Sequence, residues 1–236
     1  AILMSGHISV PIYPSLHSDS IKLILNHSES KLLFAGKLEN YEDKKNGFQN
    51  TPVIGIEKYG ISSAETWESL VAQNDRLEKI TFNDPDDLIT IIYTSGTTGN
   101  PKGVMHSIAN FSNGVRNLFF DLKLSEHPRF FSYLPLAHIA ERIGLENGAI
   151  MTGGSITFPE SLDTFAANLE ETQPELFFAV PRIWAKFQEK ILESLPKKKL
   201  NIILNIPFLN SLFKKKLKTE LGLSHAKYIV SGAAPL

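Results

Sequence analysis

The sequence predicts an α/β fold in which mostly parallel sheets are flanked by helices. Short apolar runs alternate along the chain with longer amphipathic segments, as in folds built around parallel sheet. Several of the runs consist almost wholly of Ile, Val, Phe and Leu, which is typical of strands covered on both faces. No internal repeat or low-complexity tract interrupts this alternation.

The apolar runs predict the strands, and the amphipathic segments between them predict the helices. Strands are expected at 8–13, 31–35, 53–56, 88–94, 130–134, 155–158, 176–180 and 227–231. Helices are expected at 19–27, 64–72, 108–122, 139–151, 163–172 and 181–195, and 36–50 is a polar surface helix or loop. The helix at 181–195 has the clearest pattern, because Pro181 suits a first turn and Trp184, Phe187 and Ile191 recur on one face.

Composition excludes several classes of protein. The 236 residues carry 24 basic and 25 acidic side chains, a net charge of −1, which argues against a nucleic-acid partner. The absence of cysteine excludes disulfides, a thiol nucleophile and Cys-ligated metal, and it fits a cytoplasmic location. No apolar run approaches the roughly 20 residues of a membrane span. The chain opens in the middle of an apolar segment and stops just after an apparent strand, so we expect a fragment truncated at both ends.

A segment rich in glycine and hydroxyl groups follows the predicted strand 88–94. Its small and polar residues are Thr94, Ser95, Gly96, Thr97, Thr98, Gly99 and Lys102. Glycines let backbone N–H groups approach a ligand closely, and successive N–H groups in such a turn form a concave anion site. The lysine adds a flexible point charge suited to phosphate oxygens. The segment therefore predicts polyphosphate binding. It is not a Walker A loop, because Pro101 precedes Lys102 and Gly103 follows it.

Residues 94–103, Thr-Ser-Gly-Thr-Thr-Gly-Asn-Pro-Lys-Gly, resemble the signature of the adenylate-forming (AMP-binding) superfamily. That superfamily includes acyl-CoA synthetases, luciferases and amino-acid adenylation domains. Residues 133–142, 180–184 and 230–236 resemble blocks of long-chain fatty acid–CoA ligases, and 6–14 resembles an early strand of the large domain. The resemblance implies that residues 1–236 are part of the N-terminal AMP-binding domain of an acyl-CoA synthetase-like fold, without the small C-terminal domain.

The resemblance implies a two-step reaction. A fatty carboxylate attacks the α-phosphate of ATP and gives acyl-adenylate and pyrophosphate, and the thiol of coenzyme A then displaces AMP. ATP, Mg²⁺, coenzyme A and a fatty acid are the implied cofactors and partners. We expect this fragment alone to be inactive, because the family's later blocks hold the acidic Mg²⁺ ligand and the catalytic lysine.

The resemblance also implies roles for individual residues. The β- and γ-phosphates would lie against Thr94, Ser95, Gly96, Thr97, Thr98, Gly99 and Lys102, and Thr97 would contact Mg²⁺. Adenine and the acyl head would be flanked by Gly232, Ala233, Ala234 and Pro235. The alternative interpretation is that these residues form an ordinary turn after a core strand.

No catalytic residue is assigned, although Lys102 and His138 are candidates. His138 is expected near the acyl or pantetheine path, or else as a cap or core residue. Trp184 lines an acyl tunnel or belongs to the core. The family's histidine position is Ile108 here, and His106 lies two residues earlier.

The stretch 197–218 combines seven lysines with many apolar residues. We expect it to make a peripheral contact with an anionic membrane, or else to form two short helices with solvated lysines. Three alternatives to a fatty acid ligase stay open: an aryl- or amino-acid-activating relative, a non-catalytic nucleotide- or acyl-binding module, and a purely structural α/β domain.

Overall fold

The computed structural model describes residues 2–80, 84–94, 101–232 and 234. The chain divides into two compact units, Ala1–Gly114 with Pro135–Ile139, and Val115–Leu134 with Ala140–Leu236. Parallel sheets flanked by helices occur in both, which confirms the predicted α/β class.

The first unit contains a small parallel sheet. Its strands, in spatial order, are β1 (Leu33–Ala35), β2 (Val53–Gly55) and β3 (Glu65–Thr66). Its helices are α1 (Ser18–His27), α2 (Tyr41–Lys45) and α3 (Trp67–Gln73). Ile21, Leu25 and Phe48 form a buried cluster between these elements. The predicted strand 8–13 is wrong except at Ser9, which makes an isolated parallel bridge to Thr90. Pro11 within that run lacks the N–H that a sheet requires.

A second sheet in the first unit is antiparallel. It consists of β4 (Leu88–Thr94) and β5 (Lys102–Ser107), and α4 (Ile108–Phe119) begins directly after it. The sequence did not predict β5, because its residues show no run of apolar side chains. This pair is the exception to the parallel pairing of the other sheets.

The second unit is built on four parallel strands. They are β6 (Arg129–Phe131), β7 (Ser155–Thr157), β8 (Leu176–Ala179) and β9 (Tyr228–Ser231), in the spatial order β7-β6-β8-β9. The helices are α5 (Asn147–Thr152), α6 (Phe165–Thr172), α7 (Pro181–Ser194), α8 (Lys197–Asn205) and α9 (Pro207–Glu220). Phe131, Leu169 and Phe177 are fully or almost fully buried in the core against which α7 packs.

The predicted helix 139–151 contains a stretch of the rarer π type. Glu141–Glu146 is π-helical and α5 follows it without a break. Glu141 and Arg142 are both buried, and Arg142 Nε lies 2.7 Å from Glu146 Oε2. Such π-helical turns often occur at functional sites, where they redirect side chains that a regular helix would place elsewhere.

The Glu141 carboxyl joins the two ends of segment 135–140. It accepts hydrogen bonds from the Ser132 hydroxyl and the Leu134 N–H, which precede that segment, while Glu141 itself follows it. Its Oε1 has no hydrogen-bond partner among the residues that the structure describes. Burial raises the pKa of Glu141 from 4.5 to about 7, although the two hydrogen bonds act in the opposite direction.

Glu141→Gln should change how stability depends on pH. A folded-state pKa above the unfolded value means that the wild type loses stability as pH rises from about 4.5 to about 7. Glutamine can accept the same hydrogen bonds and does not ionise. We therefore expect the wild-type free energy of unfolding to fall by about 3 kcal/mol relative to the variant over that range. Denaturant titrations at several pH values measure the difference, and parallel curves for the two proteins would contradict it.

Candidate functional site

The predicted phosphate segment is closed at its base by the β4–β5 pair. Thr94 is the register partner of Lys102, so the two ends of 95–101 lie side by side. Lys102 is exposed and Thr94 ends β4. Of the predicted phosphate-binding residues, Ser95, Gly96, Thr97, Thr98 and Gly99 lie outside the described residues. The structure therefore brings Thr94 and Lys102 together, and the phosphate-binding roles of all seven residues stay predictions.

The base of this segment is tightly packed. Gly103 pairs with Tyr93, and a Cβ on Gly103 would lie 2.8 Å from Ile91 Cγ2 and 3.2 Å from Tyr93 Cζ. Only glycine avoids that clash without movement of its neighbours. The buried Tyr93 hydroxyl lies 2.7 Å from His27 Nδ1, at hydrogen-bonding distance. These contacts hold the strand from which Lys102 projects.

A second candidate site lies at the carboxyl edge of the parallel sheet in the second unit. The chain runs from β6 outward to β7 and then returns to the other side of β6 to form β8. The order of strands thus reverses between β6 and β8, and ligands of parallel α/β sheets bind beside such a reversal. There the Val180 N–H donates to the Tyr133 hydroxyl at 3.4 Å, linking the segments that follow the two strands.

Trp184 lies in the first turn of α7, beside this edge. Its Nε1 donates to the Ala179 carbonyl at 3.0 Å, and its ring makes edge contacts with Phe177 and Phe187 at 5.6 and 5.7 Å between centroids. The indole is half-buried and packs on the hydrophobic core. Its predicted contact with substrate stays a prediction.

The predicted adenine-binding turn begins where β9 ends. Ser231 is the register partner of Ala179, so Gly232 follows β9 at the same carboxyl edge. Among the described residues, a Cβ on Gly232 would meet the Phe178 ring at an ordinary contact distance of 3.5 Å. Ala234 is exposed in a bend, and Ala233 and Pro235 lie outside the described residues.

His138 occupies a turn after β6. Its backbone N–H donates to the Pro135 carbonyl at 2.8 Å, and burial lowers the pKa of its half-buried imidazole. A lowered pKa favours the neutral ring at pH 7. His106, in contrast, lies in β5 opposite Thr90, with its ring 6.1 Å from that of Phe111. The role of His138 stays a prediction, and the sequence assigns none to His106.

Sequence reasoning assigned no role to two residues at the second candidate site. Tyr133 bridges the segments after β6 and β8, and Glu141 is a buried carboxyl in the π-helical stretch that follows β6. A signal for Glu141 was present, because the charged pair Glu141-Arg142 lies between apolar residues at 139–140 and 143–145. Tyr133 gave no comparable signal, since its hydroxyl contact depends on strand order.

The described ranges contain no group of three or more His, Asp or Glu side chains that could hold a metal ion. The one predicted Mg²⁺ contact, Thr97, lies outside them. In the same ranges, every helix is too short or too polar to cross a membrane.

Comparison with known proteins gives one family over the whole chain. The family model described as "AMP-binding enzyme" matches residues 1–236. Long chain acyl-CoA synthetase 5 of Arabidopsis thaliana is 30% identical over 98% of this chain and 41% of its own length. Long-chain-fatty-acid–CoA ligase 1 of Cavia porcellus is 29% identical over 97% of this chain and 38% of its own length. The chain thus spans about two fifths of these relatives.

Solved structures share the fold. The adenylation domain of a carboxylate reductase from Mycobacterium chelonae has a TM-score of 0.75 at 21% identity, covering 98% of this chain and 40% of that one. An anthranilate CoA ligase in complex with anthranoyl-AMP has a TM-score of 0.71 at 20% identity, covering 79% and 38%. At these identities the likeness shows the fold alone. The family match over all 236 residues, with the paired strands that close its Gly-rich segment, shows that the chain belongs to the AMP-binding enzyme family.

Proposed function

We propose that this protein activates a long-chain fatty acid with ATP, forming an acyl-adenylate and pyrophosphate, and then transfers the acyl group to coenzyme A. The observation that carries the proposal is the pairing of Thr94 with Lys102, which closes a glycine- and hydroxyl-rich segment in a chain of the AMP-binding enzyme family. Both substrates of the first step are anionic, so the site must offset their repulsion before the carboxylate can reach the α-phosphate.

The phosphate end of ATP is assigned to the segment 94–102. Backbone N–H groups and hydroxyls of Ser95 to Gly99 would bind the β- and γ-phosphates, and Lys102 would add one positive charge. Mg²⁺, with Thr97 as a contact, would supply further neutralisation of the triphosphate. The side chains of this segment need only bind and orient the substrates, because the attacking group is the substrate's own carboxylate.

The adenine and the acyl head are assigned to Gly232, Ala233, Ala234 and Pro235. Gly232 follows β9 at the carboxyl edge, where ligands of parallel sheets bind. Small side chains let a flat ring approach the backbone closely. Tyr133 and Trp184 lie at the same edge and offer an aromatic wall for an acyl chain, and His138 supplies a neutral imidazole for the acyl or pantetheine path.

The fatty acyl preference rests on the curated relatives, which are named long-chain acyl-CoA synthetases and ligases. An aryl acid is the second candidate, because one solved structure of the same fold is an anthranilate CoA ligase. The two candidates share the adenylation step and differ only in the acid.

A panel of carboxylic acids separates them. We expect the full-length protein to release pyrophosphate from ATP fastest with long saturated or unsaturated fatty acids, and more slowly with benzoate, anthranilate or amino acids. Omission of coenzyme A should leave the acyl-adenylate as the product, detectable as a hydroxamate after trapping with hydroxylamine. Faster turnover of an aryl or amino acid would replace the fatty acyl assignment without removing the adenylation step.

Lys102→Ala should weaken the reaction through its phosphate contact. We expect kcat/KM for ATP to fall by roughly tenfold to a hundredfold, since a charge-assisted contact to a developing anion is lost. Lys79→Ala, which removes another exposed lysine of the same unit, is the matched control and should leave kcat/KM unchanged. Equal values for the two variants would show that Lys102 does not contact ATP.

A further inference from the structure

Helices α8 and α9 expose more apolar surface than their packing explains. Neither helix contains a buried residue. Five large apolar side chains are exposed, namely Ile202 (61%), Ile206 (41%), Phe208 (73%), Leu209 (42%) and Leu212 (52%). All lie within 202–212, around the junction of the two helices. We call these five residues the apolar tip.

The apolar tip is distinct from the face that each helix uses for packing. Half-buried side chains occur at Leu200, Ile203 and Leu204 of α8 and at Phe213 and Leu217 of α9, with helical spacings of three and four. The tip residues lie at other positions, and two pairs of them, 202 with 206 and 208 with 212, are four residues apart.

One contact fixes the junction of the two helices. The side-chain amide of Asn210 in α9 donates to the Leu204 carbonyl in α8 at 2.8 Å. The apolar tip is therefore carried by two helices whose connection is held in place, which fits a preformed surface.

Positive charge lies on both sides of the apolar tip. Lys197, Lys198 and Lys199 begin α8, and Lys214, Lys215, Lys216 and Lys218 lie in the second half of α9; all seven are exposed. Glu220 is the only acidic residue in 197–220, and its Oε1 lies 3.7 Å from Lys216 Nζ on the surface. The segment carries +6 in a chain of net charge −1, so the other residues together carry −7.

The position of the first three lysines does not serve the helix itself. Cations at a helix N-terminus oppose the helix dipole, and no acidic residue offsets them in the first turn of α8. Because these lysines are unfavourable for the helix in which they lie, they point to a role outside that helix.

We propose that α8 and α9 dock this protein peripherally on an anionic lipid bilayer, with the apolar tip in the headgroup and acyl boundary and the seven lysines at the phosphate level. Basic side chains beside exposed aliphatic and aromatic ones match the two components of such an interface. A nucleic acid would use the charge but leave the apolar tip in water. The membrane contact depends on this surface alone, so it can be tested independently of the proposed carboxylate activation.

Vesicle sedimentation of the full-length protein tests the charge. Binding should be stronger to phosphatidylcholine vesicles containing phosphatidylserine than to phosphatidylcholine alone, and it should weaken with salt. Lys214→Glu with Lys215→Glu and Lys216→Glu should lower the partition coefficient by at least about tenfold. Lys22→Glu with Lys58→Glu and Lys79→Glu makes the same change in net charge on exposed lysines elsewhere and should have little effect.

A second pair of variants tests insertion. Phe208→Ser with Leu212→Ser should lower binding several-fold, whereas Phe158→Ser with Leu162→Ser, which removes other exposed apolar side chains, should not. Pyrophosphate release with a short, water-soluble acid should be unchanged in the tip and lysine variants, which shows that they fold. Binding equal to that of the controls in either variant, or no preference for phosphatidylserine in the wild type, would overturn the proposal.

Discussion

The antiparallel pairing of β4 with β5 is the constraint on which the first candidate site depends. It places Thr94 beside Lys102 and so joins the two ends of the glycine- and hydroxyl-rich segment. An unpaired segment of that composition would pay a large conformational entropy cost before it could bind a triphosphate, because glycine loses more freedom on ordering than any other residue. The close fit of Gly103 against Ile91 and Tyr93 keeps the two strands in register. Backbone pairing at the base of the segment would thus lower the entropy cost of the proposed phosphate binding.

The second candidate site depends on strand order instead. Tyr133, Trp184 and Gly232 are far apart in the sequence, and they share one edge only because β6, β8 and β9 are adjacent and parallel. A buried carboxyl, Glu141, accepts hydrogen bonds from Ser132 and Leu134, two residues that follow β6. Because burial raises the pKa of Glu141 to about 7, the charge of the group that accepts these bonds changes near neutral pH.

Much of this arrangement could be predicted from the sequence, for identifiable reasons. The parallel strands β6 to β9 were predicted because continuous apolar runs mark strands covered on both faces. Strand β5 was not, since Lys102, Gly103 and His106 show neither an apolar run nor a clear alternation, and only pairing with β4 makes them a strand. The π-helical turn at Glu141–Glu146 also escaped prediction, because six residues are too few for the spacing of apolar side chains to distinguish a π from an α helix. The buried carboxyl is also held by partners outside its own turn.

The distribution of charge and apolar surface matches a reaction that would join a membrane-soluble substrate to water-soluble ones. In the proposed reaction, a fatty acid that partitions into membranes is joined to coenzyme A at the expense of ATP, and both of these remain in water. An enzyme catalysing that reaction would benefit from a surface that holds it at the boundary. Positive charge in this chain is concentrated in 197–220 and is balanced by acidic residues elsewhere. That asymmetry favours one orientation at an anionic bilayer, because the remainder of the chain is repelled by the same charge that attracts α8 and α9. The proposed membrane contact would thus explain why α8 and α9 expose apolar side chains, which their packing does not explain.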